Sequence, residues 1–334
     1  MRTSAHTHLK TLDARAKVSV GRCRPNGHMS TRVETGRTSL GGSTTTISAA
    51  QTAPIRIHHL TEILCADTPA LRRSLPEAAE RALGLTAGRT ADAAAIEAVL
   101  TPDPALAGPL ISLAASGLFS PRETITSVRE AVMSLGLEAT RDALLVIVTN
   151  GIAASVPGFE THAETLRRRA LAAGIAARFI AKALRIESDH DFLVGLLHDV
   201  GELVLLQRSA EKGILPFGIL EDPKDGPVVL DAIDVAHTRV GAALCRAWGL
   251  PPAVAEAAEF HHDRRAGRRG RLPSQLAAAT DVIALHLTGS PCPDPTRQPI
   301  FSEVGLSAEA AATVIAEVEA TLPALAAAAT AARR

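Results

Sequence analysis

Tyrosine is absent from this 334-residue chain, and aromatic residues make up only 2%, as seven Phe and one Trp. Any motif that needs a Tyr hydroxyl is excluded, and a core must be built from Ala, Leu, Val and Ile. Net charge is also missing: Lys+Arg and Asp+Glu number 35 each. That balance removes a global argument for nucleic acid or for an acidic, solvating protein. The four cysteines, Cys23, Cys65, Cys245 and Cys292, show no C-x-x-C spacing. Neither a zinc knuckle nor a dithiol redox motif is available, and a reducing, cytoplasmic compartment is expected. The N-terminus carries Arg2, His6, His8, Lys10 and Asp13 where a secretory signal needs an apolar run, and no stretch of 18 uncharged apolar residues follows. No membrane association is expected.

What is present is 46% apolar residues and a mean hydropathy of +0.15, enough for one large or two modest globular domains. Residues 1–54 differ from the rest. They carry a net charge of +6 against −6 in the remainder, few large apolar side chains and a GGSTTT run. Such a segment cannot bury enough surface to offset its ordering entropy, so a disordered basic tail is expected, with Met29 as an alternative start. It has no aromatic residue for base stacking, so nucleic acid is not an expected partner.

From residue 55 onward the apolar periodicity is helical almost everywhere, punctuated by Gly and Pro, and nothing reads as a sheet. Helices are predicted from Thr90 to Leu100, from Pro104, over Ser127–Leu135 and Glu138–Ile152, and over Thr165–Leu184. Asp191–Gln207 reads as one central buried helix, followed by a loop over 211–230. Further helices are predicted at Leu230–Trp248, Ala253–His262 and Ser274–Leu287, and after Ser307. The fold class is all-α.

Polar residues inside these apolar helices are the candidate site. His198 and Asp199 are adjacent in the most apolar helix, where an unpartnered carboxylate is costly or changes its protonation state. A buried His–Asp pair accounts for them structurally, and a shared ligand accounts for them functionally. His237 lies in the next long helix, His261 and His262 end the following one, and Asp281 sits within LAAATDVIAL. Each has a structural explanation of its own, such as a histidine favoured at a helix C-terminus. Together they are the imidazole and carboxylate set that binds a zinc, manganese or iron type ion.

The order LLHDVGELVLL at 196–206, then DVAHTRVGAALCRAWGLPPAVAEAAEFHH at 234–262, resembles the HDOD family, the HD-related output domains of bacterial signalling proteins. TPDPALAGPLISLAASGLF at 101–119 and ITSVREAVMSLGLEATRDALL at 125–145 resemble the family's N-terminal helices. The resemblance covers about residues 70–290. It implies an HD-like helical bundle with an additional N-terminal helical subdomain: an HDOD domain over 55–290, divided at 155/156, and a C-terminal linker and helix over 291–334. It also implies regulation through contacts with other signalling proteins, usually without demonstrated hydrolase activity.

The catalytic HD relatives use a His on the first long helix, then HD, further His residues and a late Asp. Here His198, Asp199, His237, His261 and Asp281 fall at matching places, but the first position is Arg169. A guanidinium repels a divalent ion and favours a carboxylate or phosphate. A full two-metal site is therefore not expected. Two arrangements stay open: no metal, with Arg169 paired to Asp199 or Asp281, or a single divalent ion held by His198, Asp199, His237 and Asp281. The first is the expectation.

The segment HHDRRAGRRGRLP at 261–273 departs from the HHExxDGxGYP signature of cyclic-di-GMP phosphodiesterases, since Leu272 stands where Tyr would. Its arginines, among them Arg264, Arg265 and Arg268, could join Arg169 in binding a small anionic ligand, or form a solvated loop. The expected function is a regulatory output domain with a degenerate HD site; the alternative is a metal-dependent phosphohydrolase acting on a nucleotide or other phosphoester.

Overall fold

The computed structural model describes residues 16–20, 31–35, 49–65, 75–88, 92–116, 125–186, 188, 190–263, 271–290 and 294–330. Thirteen α-helices make up the described body: α1 (Ala49–Cys65), α2 (Glu77–Thr86), α3 (Ala93–Leu100), α4 (Pro104–Ala115), α5 (Val128–Ala154), α6 (Glu160–Leu184), α7 (Asp191–Leu197), α8 (Val200–Lys212), α9 (Gly226–Ala247), α10 (Pro252–Phe260), α11 (Arg271–Leu287), α12 (Pro299–Val304) and α13 (Ala308–Thr330). The expected all-α body is present. Ahead of it, β1 (Ala16–Val20) pairs antiparallel with β2 (Thr31–Thr35), Val18 opposite Val33. That ribbon falls within residues 1–54, expected as a disordered basic tail; from residue 55 onward no strand occurs among the described residues, as expected. Short alternating β-branched sequences suffice for two strands. The rest of residues 1–48 lies outside the described residues.

Helices α2 to α5 form one packed group and α6 to α11 a second. The LLVIV run at 144–148 lies buried within α5. The two helices predicted there are both present within this span, separated at Gly136, whose angles (φ 73°, ψ 176°) are non-helical. α6 presents Ala172, Ala173, Ala176 and Ala177, all fully buried, to its neighbours. This small-residue face lets α7 come very close: a Cβ on Gly195 would stand 2.1 Å from the Ala173 carbonyl oxygen.

The single helix predicted over Asp191–Gln207 is two. α7 stops at Leu197, and Asp199 takes non-helical angles (φ −104°, ψ 11°) before α8 begins. Short acidic side chains favour helix starts over helix interiors. The break turns both polar side chains toward the three helices that follow. Helix α9 also begins earlier than predicted, inside the expected loop, with Pro227 in its first turn, where a missing N–H costs nothing.

α13 packs back on α6, α4 and α5. Val314, Val318, Leu322 and Leu325 are buried, and the Asn150 side-chain amide donates to the Ala329 carbonyl at 3.2 Å. It is the one described helix long and apolar enough by composition to cross a membrane, with a mean hydropathy of 1.4.

Candidate functional site

The five residues singled out by sequence, His198, Asp199, His237, His261 and Asp281, converge. His198 closes α7, Asp199 opens α8, His237 projects from α9, His261 closes α10 and Asp281 lies within α11. The crossing of α8 over α9 sets the spacing. A Cβ on Gly201 would fall 2.1 Å from the His237 carbonyl oxygen, so only glycine admits this approach.

Each buried imidazole is oriented by its own helix. The Nδ1–H of His198 donates to Gly195 O at 2.7 Å, that of His237 to Ile233 O at 3.3 Å, and that of His261 to Ala257 O and Ala258 O at 3.1 Å. This geometry assigns the tautomer and leaves all three Nε2 atoms facing inward. Asp199 Oδ1 lies 3.4 Å from His237 Nε2 and 3.0 Å from His261 Nε2, while Oδ2 lies 3.2 Å from His198 Nε2. Asp281 Oδ1 is 3.8 Å from His198 Nε2. Lone pairs therefore face one another, and a positive charge, either a proton or a metal ion, must sit among them.

The electrostatics agree. Burial alone would lower the His198 imidazole, but Asp199 and Asp281 hold it well above its ordinary value. Burial would raise Asp199, yet the surrounding imidazoles hold it well below the usual carboxylate range. His237 is pushed up to about 9: burial opposes its charge, and Asp199, Glu202 and Asp234 overcome that. For His261 burial wins, and its value is lowered.

A divalent ion fits these donors. Asp199 belongs to two groups whose ligand atoms lie within 4.8 Å of one another: Asp199, His237, His261 and His262, and His198, Asp199 and Asp281. Nitrogen ligands about 2.0–2.1 Å from a tetrahedral ion stand about 3.3 Å apart. His237 Nε2 and His261 Nε2 are separated by 3.3 Å. Among the described residues the buried His198 Nε2 and Asp199 Oδ1 have no hydrogen-bond partner, which leaves them open to a ligand. The four-donor group thus differs from the set weighed on sequence: His262 takes part, and His198 and Asp281 form the second group.

Arg169 does not pair with Asp199 or Asp281. Its Nε donates to Thr288 Oγ1 at 3.3 Å and its Nη2 to Ser290 Oγ at 2.7 Å, at the C-terminal end of α11. There the cation complements the helix dipole. Arg264, Arg265 and Arg268 lie outside the described residues.

Two acids were missed on sequence. Glu202, partly buried on α8, is pushed up to about 7 by burial, with the Asp199 charge adding to it. Its spacing of three from Asp199 places both on one helix face and was the available signal. Asp234 Oδ1 lies 3.8 Å from His262 Nε2.

A helical body with a break at an HD pair, facing histidines from two later helices and an aspartate from a third, defines an HD-like domain. The HDOD domain model matches residues 73–264, and the chain belongs to that family. A Treponema pallidum (strain Nichols) protein is 30% identical over 172 residues, which is 50% of this chain but only 33% of the relative, so this chain spans about a third of it. An HDOD domain protein of unknown function from Geobacter sulfurreducens has the same fold, with a TM-score of 0.60 at 21% identity over 77% of this chain and 92% of that one. So does a Shewanella amazonensis protein provisionally named a metal-dependent phosphohydrolase, with a TM-score of 0.60 at 18% identity over 80% and 99%.

Proposed function

We propose that this HDOD protein is a regulatory output module that acts through contacts with other signalling proteins, and that its HD cluster is a closed latch rather than a turnover site. The observation that carries this reading is closure. The His198, His237 and His261 side chains are wholly buried, and Asp281 and Asp199 are only 9% and 17% exposed. Structural metal sites are closed, whereas catalytic ones keep a position open for water and substrate. An ion held by Asp199, His237, His261 and His262 would tie α8, α9 and α10 together; without one, protonated imidazoles fill the role less firmly.

The phosphohydrolase reading has one observation in its favour, the His198, Asp199 and Asp281 group, whose three donors would leave coordination positions for water. A bound divalent ion supplies a nucleophile there by lowering the pKa of that water. The test is a panel of nucleotides and simpler phosphoesters, assayed with protein loaded with manganese, iron or zinc. The regulatory reading expects no turnover above that of Asp199→Ala. Metal-dependent turnover abolished in Asp199→Ala would overturn it.

A further inference from the structure

α1 lies ahead of the 73–264 family match and packs chiefly on α9. It is amphipathic: Thr61 and Leu64 are buried, Ile57 and Leu60 partly so, while His58, His59 and Glu62 face solvent. Ile57, Leu60 and Leu64 recur at i, i+3 and i+7, the spacing with which a helix seats in an apolar groove. One hydrogen bond sets its register on α9: Thr61 Oγ1 is shared between Ile57 O at 2.8 Å and Ala232 O at 3.4 Å. Apolar surface remains uncovered on both helices, with Val235 on α9 53% exposed and Ile63 on α1 41% exposed.

We propose that the face of α9 at Ala232 is a docking groove for an amphipathic helix of a partner protein, bearing aliphatic side chains at i, i+3 and i+7, and that α1 occupies it in cis. The proposal rests on the regulatory reading above and names the kind of partner. The groove is wired to the HD cluster through one turn of α9. The carbonyl of Ala232 accepts from Thr61, and that of the next residue, Ile233, accepts from the His237 imidazole. A helix that seats more deeply than α1 shifts the backbone that orients His237. Because α1 is tethered, it competes at high effective concentration, and a partner must displace it.

The test uses a fluorescently labelled peptide of residues 49–65 and the full-length chain, read by anisotropy. The Leu60→Asp, Leu64→Asp double variant, which releases α1, is expected to bind the peptide at least tenfold more tightly than wild type. Equal affinity, or no binding to a variant that keeps its helical circular dichroism, overturns the proposal. Should the variant not fold, hydrogen exchange of wild type decides. Saturating peptide is expected to strip protection from α1 while Val229–Val240 stay protected, and unchanged α1 protection overturns the proposal. A concentration-dependent dimer with exchanged α1 helices also overturns occupancy in cis. Neither metal nor phosphoester enters this assay, so its failure is distinct from failure of the regulatory reading, which phosphoester turnover tests.

Discussion

His237 Nε2 and His261 Nε2 stand 3.3 Å apart, and both face Oδ1 of Asp199. Two imidazoles whose Nδ1–H groups are engaged by backbone carbonyls meet there with lone pairs toward one carboxylate. That arrangement is stable only around a cation.

Protein purified without a His-tag is therefore expected to carry a transition metal, read by elemental analysis. Removing it with a chelator should lower the melting temperature. A ligand present at a hundredfold its Kd stabilises by about 2.7 kcal/mol. For a chain of 334 residues that corresponds to roughly 4 °C. His237→Ala and His261→Ala should each lose the metal and the chelator-sensitive part of the melting temperature. An identical melting temperature with and without chelator, in protein free of metal, would show that protons alone fill the cluster.

Arg169 gives the complementary expectation. Its guanidinium is spent on Thr288 and Ser290 at the end of α11. Arg169→Ala should cost about 1 kcal/mol, typical of a cation lost from a helix C-terminus, and leave metal content unchanged. A change in metal stoichiometry would place the side chain in the cluster after all.

The α8 and α9 crossing should be equally exacting. A methyl group on Gly201 would lie 2.1 Å from His237 O and 2.8 Å from Gly241 N, both backbone atoms that cannot rotate aside. Gly201→Ala is expected to destabilise by about 3 kcal/mol, the upper range for overpacking, and to weaken metal binding by moving His237. Thermal melts and metal titration read the two effects separately.

The all-helical fold and five of the cluster residues were legible in the sequence because polar groups in apolar helices stand out against their surroundings. The break between Leu197 and Val200 was not, since an unbroken apolar run hides a turn that tertiary packing imposes. Glu202 was passed over as an ordinary helix residue, its meaning depending on the burial of Asp199 one turn away. Arg169 was legible as an oddity but its partners were not: Thr288 and Ser290 lie more than a hundred positions along the chain, and no local pattern links them. The β1 and β2 ribbon was missed because composition outweighed a short alternation of period two.

Asp142 supplies a pH dependence with a definite sign. It is buried on α5, accepting from Arg178 Nη2 at 3.4 Å with Arg141 Nε 3.8 Å away, and burial pushes it up to about 7 from 3.8 in spite of both cations. Between these values the folded state keeps a proton that the unfolded chain has released. Its contribution is therefore fully present below about pH 4 and is lost as pH rises toward 7. Above that the contribution is flat. The loss has a limiting slope of about 1.4 kcal/mol per pH unit. Asp142→Asn mimics the protonated acid, so denaturant melts should find it close to wild type near pH 4 and more stable at pH 8. The difference should open across the intervening window. A difference that stays constant with pH would mean that Arg141 and Arg178 keep the carboxylate ionised in the folded protein, and that the joint of α5 with α6 is an ordinary buried ion pair.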